Sequence, residues 1–406
     1  MDLRTGCAFW MVKAGLLASY PPLAADLSAD VAIIGAGITG ALVARELTNA
    51  GANVVVLDRR DVASGSTAAS TGLLQYETDG SLEALSRSVG LPGAVRIYRL
   101  GLEAIDAIER ICGEVGDASG FRRRSCLYLA STPRDARALA REHALRVANG
   151  FDVTWLTASD VKRRFGLAAP AALYGPGDGE LDSYRFTHAV LKTAVDGGAR
   201  VFDRTSVIKV RHTRAGVELV TDRGPRVRST RVIYAGGYET SERSPIKSLT
   251  NLNSTFVCVS EPVTSFNGWD DRCLIWETAR PYLYLRSTED DRVVIGGEDS
   301  PFSMRHRSER VLQQKRDRLM RRFRRMFPGI ELEPSYVWGG VFAETRDGLP
   351  YIGARDGEPN AWYALGYGAN GITFSVNAAW ILRDAYLGRP NTDANLFSFA
   401  RERRLQ

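Results

Sequence analysis

The spacing of apolar positions changes several times along the chain, and each change predicts an element. Residues 30–34 (DVAII) are mostly apolar and β-branched, as in a parallel strand buried on both faces. Helical spacing follows over 38–50, and 53–57 (NVVVL) returns to strand. Leu82, Leu85 and Val89, then Ile97, Leu100, Ile105 and Ile108, predict one or two helices over 81–115. Alternation over 205–219 predicts a hairpin, and 231–237 (RVIYAGG) a strand ending in small residues. The segments 125–130, 255–262, 273–277, 282–287 and 292–296 suit an antiparallel sheet, with the clearest alternation in PYLYLRS and RVVIGGE. The run RRFRR at 321–325 reads as the polar face of a helix. Residues 362–382 read as a strand, a glycine turn and a helix starting near Gly371.

The turn after the first strand carries chemistry. Gly35, Gly37 and Gly40 match G-x-G-x-x-G. Gly35 permits the tight turn, Gly37 lets a pyrophosphate approach the backbone, and Gly40 lets helix and strand pack closely. The helix that opens with Ile38 and Thr39 turns its N-terminal amides to the phosphates. Asp58 ends the second strand about twenty residues on, where a carboxylate accepts ribose hydroxyls. The spacing alone does not choose between FAD and NAD. The basic pair Arg59 and Arg60 reads as exposed rather than as a 2′-phosphate site, and Arg59, next to Asp58, is counted among the cofactor-binding candidates.

The next stretch, DVASGSTAASTGLLQYETD, departs from a nicotinamide-binding domain, which proceeds here to another helix and strand. It offers Ser66, Thr67 and Ser70 as pyrophosphate donors, with Gly72 and Leu73 placed to run past a ring system. This order resembles the FAD-dependent oxidoreductases of the D-amino acid oxidase, glycine oxidase and sarcosine oxidase superfamily. The resemblance continues through 179–201, the small residues Ala235, Gly236 and Gly237, the segment TRDGLPYIGA with Gly348, and GYGANGITF with Gly368, Asn370, Gly371, Ile372 and Thr373. It implies non-covalent FAD, with the backbone of Val207 at the adenine and the late helix N-terminus at the N1–C2 carbonyl edge of the flavin. It also implies an α/β fold: a discontinuous Rossmann-type FAD-binding domain formed by 1–80, 150–240 and 335–406, with an antiparallel-sheet substrate domain formed by 81–149 and 241–334.

The resemblance implies that an amine or amino acid passes a hydride to flavin N5, giving an imine, with oxygen as the final acceptor. A quinone or protein acceptor, and a flavin-binding protein without turnover, stand as alternatives. A NAD-dependent dehydrogenase leaves the late glycine segment without a role. Carboxylate recognition departs from the family pattern. Glycine oxidase-like members carry an arginine shortly before the T-K/R-D-G segment, and the matching position here is Phe342, which cannot form a bidentate pair. Tyr282 and Tyr284 share a strand face near Trp276, a set that suits an amine through cation–π contact. Arg286 is a candidate for an anionic group, and Tyr76, at the end of the first loop, a further substrate candidate. His188 and His306 lack a partner at a telling spacing. No obligatory acid or base is legible.

Bulk composition changes little. The chain has 406 residues, 44% apolar and 25% charged, which suits a globular enzyme of two domains or one large unit. The formal charge of +6 is spread along the chain, and with no zinc-type Cys/His spacing this sets nucleic acid and metal aside. Five unclustered cysteines fit reduced thiols. The N-terminal stretch AFWMVKAGLLASYPPL lacks signal-peptide character and reads as an arm anchored by Trp10 and Tyr20. The expectation is a cytoplasmic enzyme without a transmembrane segment.

Overall fold

The computed structural model describes residues 4–116, 119–243, 245–303 and 308–402. His306 lies outside them. Among the described residues the strands form two sheets, one of eight and one of ten strands.

The eight-stranded sheet grows around Leu27–Ile34, which pairs in parallel with Val54–Leu57 and with Arg226–Tyr234. Arg200–Phe202 and Ala361–Leu365 extend it, also in parallel. Side-chain alternation divides it cleanly. Val31, Ile33, Val54 and Val56 face the helices Ile38–Asn49, Ser183–Asp196 and Gly371–Tyr386. Ala32, Val55 and Leu57 face the hairpin of Val207–Thr213 and Gly216–Thr221. The expected order of strand, helix and strand is therefore observed, with hydrophobic cover on both faces.

The ten-stranded sheet is the roof. Its order places Pro334–Thr345 beside Thr250–Ser260, then Val293–Pro301, Leu283–Ser287, Leu274–Glu277, Arg122–Leu129 and Ala171–Glu180. The sequence predicts antiparallel pairing throughout, but Leu274–Glu277 and Arg122–Leu129 pair in parallel. A long excursion separates these two strands in sequence, so no hairpin dictates their direction. Ala171–Glu180 and Pro334–Thr345 also join the roof, although the expected boundaries place nearly all of both in the FAD-binding unit. The helix Glu309–Met326 covers the outer face with Leu312, Leu319, Met320 and Phe323, which recur at helical spacing. The run 321–325 thus buries Phe323 and turns its arginines away from the core, as the pattern predicts.

The helix Leu82–Glu114 is broken at Gly90, where φ is 75° and Pro92 follows. No described helix is long and apolar enough to cross a membrane. Trp10 is buried and donates its indole N–H to the Ser70 carbonyl at 2.7 Å, so the N-terminal arm is anchored as expected.

Candidate active site

A cavity of about 550 Å³ lies between the two sheets, lined by the glycine turn at one side and the roof strands at the other.

Gly35 has φ of 113°, and a Cβ there would stand 2.5 Å from the Ala235 carbonyl oxygen. A Cβ at Gly40 would stand 1.9 Å from the Gly35 carbonyl, so helix and strand meet at a distance only glycine allows. Gly35, Gly37, Ile38 and Thr39 line the cavity, while Gly40 lies beneath them. The Asp58 carboxylate accepts the Ala36 amide at 2.7 Å and the Arg60 amide at 2.8 Å. Burial raises its pKa, and these two amides oppose the rise. Asp58 therefore braces the turn as well as facing the cavity. Arg59 and Arg60 both pair with Glu239, which offsets the positive charge beside Asp58.

The short helix Ser66–Ala69 supplies the next wall. Thr67 accepts the Ile38 amide at 3.0 Å, and the Ser66 hydroxyl is buried without a protein partner. Both line the cavity, as does Ser70. The indoles of Trp10 and Trp338 hold the carbonyls of Ser70 and Ala69, at 2.7 and 3.0 Å. These tryptophans, distant in sequence, fix the loop. Leu73 lines the cavity, but Gly72 does not. Gly72 instead packs where a Cβ would stand 2.0 Å from the Leu181 carbonyl, so its role is close approach rather than ring contact.

Val207, Ala235, Gly236 and Gly237 form the wall on the Asp58 side. On the far side come Gly368, Asn370, Gly371, Ile372 and Thr373. The Asn370 side chain donates to the Glu77 carbonyl at 2.7 Å, which ties the start of Gly371–Tyr386 to the first loop. Gly348 lies outside the lining, in the turn with φ of 73° that connects two strands. Its expected place at the cofactor is corrected on that account.

The roof end is aromatic. Trp276, Tyr282, Tyr284 and Phe342 all line the cavity, as expected. Trp276 stacks on Tyr128 at 3.6 Å, and its buried indole N–H has no protein acceptor. The Tyr284 hydroxyl lies 3.3 Å from that of Thr255. Two substrate candidates are not at the cavity. Tyr76 stacks on Phe151 and sits under the Arg146 guanidinium, past the end of the short strand Leu73–Leu74, while Gln75 lines the cavity. Arg286 is buried and donates to the carbonyls of Thr71, Gly72 and Leu181 at 3.1, 3.0 and 2.8 Å. Its geometry is that of a structural clamp. His188 also lies away from the lining, edge-on to Tyr184 at 4.6 Å.

Sequence reading passes over three carboxylates near the roof. Asp79 lines the cavity and accepts the Ala369 amide at 3.1 Å. Asp299 has its pKa pushed up to about 6, first by burial and then by the charges of Asp79 and Glu344. Glu344 is also raised, by burial and by Asp79. The only signal at Asp79 is an Asp-Gly pair, which reads as a turn.

The donor set suits a flavin dinucleotide. The Ser66 hydroxyl and the Trp276 indole N–H are buried without protein partners, and both residues border the cavity. A Cβ at Gly371 or Gly237 would meet no protein atom within 4 Å, so both glycines open onto the cavity.

The family described as DAO, FAD dependent oxidoreductase, matches residues 30–385. Glycine oxidase of Geobacillus kaustophilus is 26% identical over 389 residues, covering 93% of this chain and 97% of that enzyme. The crystal structure of glycine oxidase from that organism superposes with a TM-score of 0.79 at 23% identity, covering 91% of this chain and 98% of the other. L-proline dehydrogenase from P.horikoshii superposes with a TM-score of 0.77 at 17% identity, covering 94% of this chain and all of the other, 100%.

Proposed function

The chain belongs to the DAO family of FAD-dependent oxidoreductases, acting on amino acids or amines with FAD as cofactor, and on that premise we propose that it oxidises a substrate C–N bond to an imine and returns the electrons to oxygen. Bound FAD would supply the acceptor for the hydride from the carbon beside nitrogen; hydrolysis of the imine would then give a carbonyl compound and an amine, and oxygen would be reduced to hydrogen peroxide.

The chain's own residues would bind, orient and exclude water. Gly35, Gly37 and the amides that open Ile38–Asn49 suit a pyrophosphate, and Asp58 a ribose. Ser66 and Thr67 add hydroxyl donors. The N-terminus of Gly371–Tyr386 favours negative charge on the group beside it. The aromatic roof excludes water and fixes the amine over the reacting face. The observation that carries this reading is one continuous cavity, bordered by Asp58 and the glycine turn, by Asn370 and Gly371, and by Trp276, Tyr282 and Tyr284. Binding without a covalent tether is part of the proposal.

One observation favours a second reading, with a quinone or protein as acceptor. Among the described lining residues the roof end has no lysine or arginine to stabilise charge developing on oxygen. The test is to bleach the flavin anaerobically with an amine and then admit air. Recovery of the colour with one peroxide per amine supports oxygen. A flavin that stays bleached in air but recovers with a soluble quinone supports the second reading.

A further inference from the structure

We propose that the substrate carries a second cationic group on an alkyl spacer and no carboxylate beside the reacting carbon, so that it is a diamine-like compound rather than an α-amino acid. This rests on the amine-oxidising reading above and assigns the substrate class of the same site.

Three observations converge. First, Phe342 occupies the lining where a guanidinium would pair with a carboxylate; it is 8% exposed and packs with Tyr238 and Val341. Second, Asp79 presents a carboxylate to the cavity. Its carboxylate accepts the Ala369 amide at 3.1 Å. Behind it stand Asp299, with one oxygen buried and unpartnered, and Glu344, which accepts the Asn253 amide group at 2.8 Å. The cations that face this group are few. Arg280 is exposed, lies over the Tyr282 ring at 4.9 Å, donates to the Asp79 main-chain carbonyl at 3.4 Å, and its charge opposes the raised pKa of all three carboxylates. Lys315 approaches Asp299 from the helix Glu309–Met326 but is committed to the Glu298 carbonyl at 2.6 Å. Third, Trp276 is 6% exposed, with an indole N–H that no protein atom accepts, and with Tyr282 and Tyr284 it gives the same end an aromatic wall.

The physical consequences agree. Carboxylates held together out of water raise one another's pKa, and a cationic ligand relieves both the repulsion and the desolvation. A substrate carboxylate would add a further negative charge to that group. Aromatic faces attract an ammonium as well. The distal ammonium also helps the chemistry. Its charge lowers the pKa of the reacting amine, which must enter in the neutral form.

The test compares putrescine, butylamine, γ-aminobutyrate and glycine on the holoenzyme, by anaerobic flavin bleaching and by kcat/KM. The expected order is putrescine, then butylamine, then the two amino acids, with about a hundredfold between first and last. Asp79→Asn should shrink the putrescine-to-butylamine ratio towards one, mainly through KM. Glu344→Gln is a second variant, expected to shrink it less. Preference for glycine or γ-aminobutyrate overturns the proposal while leaving amine oxidation intact. So does an unchanged ratio in both variants at full flavin content. A flavin that dithionite bleaches and none of the four compounds, nor any other amine, bleaches overturns the parent reading and this one with it.

Discussion

The cofactor side and the roof side of one cavity are built in opposite ways. On the cofactor side the chain withdraws its side chains. Gly35, Gly37, Gly236 and Gly237 bring backbone to the surface, and Asp58 and Thr67 brace that backbone by accepting its amides. On the roof side the chain advances its side chains: Trp276, Tyr282, Tyr284 and Phe342 from the sheet, with Asp79 from the first loop. Backbone donors suit a ligand part common to a whole family, since every residue has an amide. Side chains suit the part that varies, since each can be exchanged without moving the strand.

Changes on the two sides should therefore fail differently. The largest effect is expected beneath the cavity. Arg286→Leu removes the donor that three carbonyls share, two of them buried, and leaves Glu180, 3.4 Å away, without this partner. The expected loss is about 3–5 kcal/mol of stability in urea unfolding. An unfolding curve that hardly moves, with weakened substrate binding, would restore Arg286 as a substrate residue.

Gly40→Ala comes next. The new methyl would collide with backbone rather than with a side chain that can turn away. The expected cost is about 1–3 kcal/mol, with loss of FAD on gel filtration. Retention of full flavin content would show that helix and strand can separate without disturbing the cradle.

Asp299→Asn probes the roof through pH. The Asp299 pKa is raised to about 6, so the fold favours the protonated carboxyl. Its contribution to stability is full below its unfolded value near 4 and is lost as pH rises through about 6. Relative to the Asn variant, the wild type should gain on the order of 2 kcal/mol between pH 7 and pH 4. Parallel stability curves over that window would contradict a raised Asp299 pKa, whether from burial or from its acidic neighbours.

The mildest change sharpens the comparison most. Phe342→Arg should leave flavin content unchanged and improve kcat/KM for carboxylate-bearing amines about tenfold, as expected for one new charge-assisted pair. Loss of flavin instead would mean that the two sides are not separable.

The same contrast explains what the sequence discloses. The cradle is legible because strand, turn, helix, strand and acid follow one another within residues 27–58, where local spacing and geometry coincide. The roof is assembled from segments near 73–79, 250–260, 274–301 and 334–345, and spacing within one strand says little about its neighbours. Alternation correctly puts Tyr282 and Tyr284 on one face. It also puts Arg286 there, but at that point the Thr71–Gly72 backbone closes the cavity and takes the guanidinium. Gln75 and Tyr76 lie just past the strand Leu73–Leu74, where no periodicity says which of the two turns to the cavity. Asp79 reads as a turn, and Asp299 and Glu344 as ordinary strand carboxylates, because only the folded sheet brings them together.

The most direct measurement is the absorption spectrum of the purified protein before and after an amine is added without air, followed by acid precipitation. The account predicts a flavin spectrum that the amine bleaches, and FAD released into the acid supernatant. A colourless protein that takes up no FAD, or a flavin that dithionite bleaches and no amine does, would contradict it.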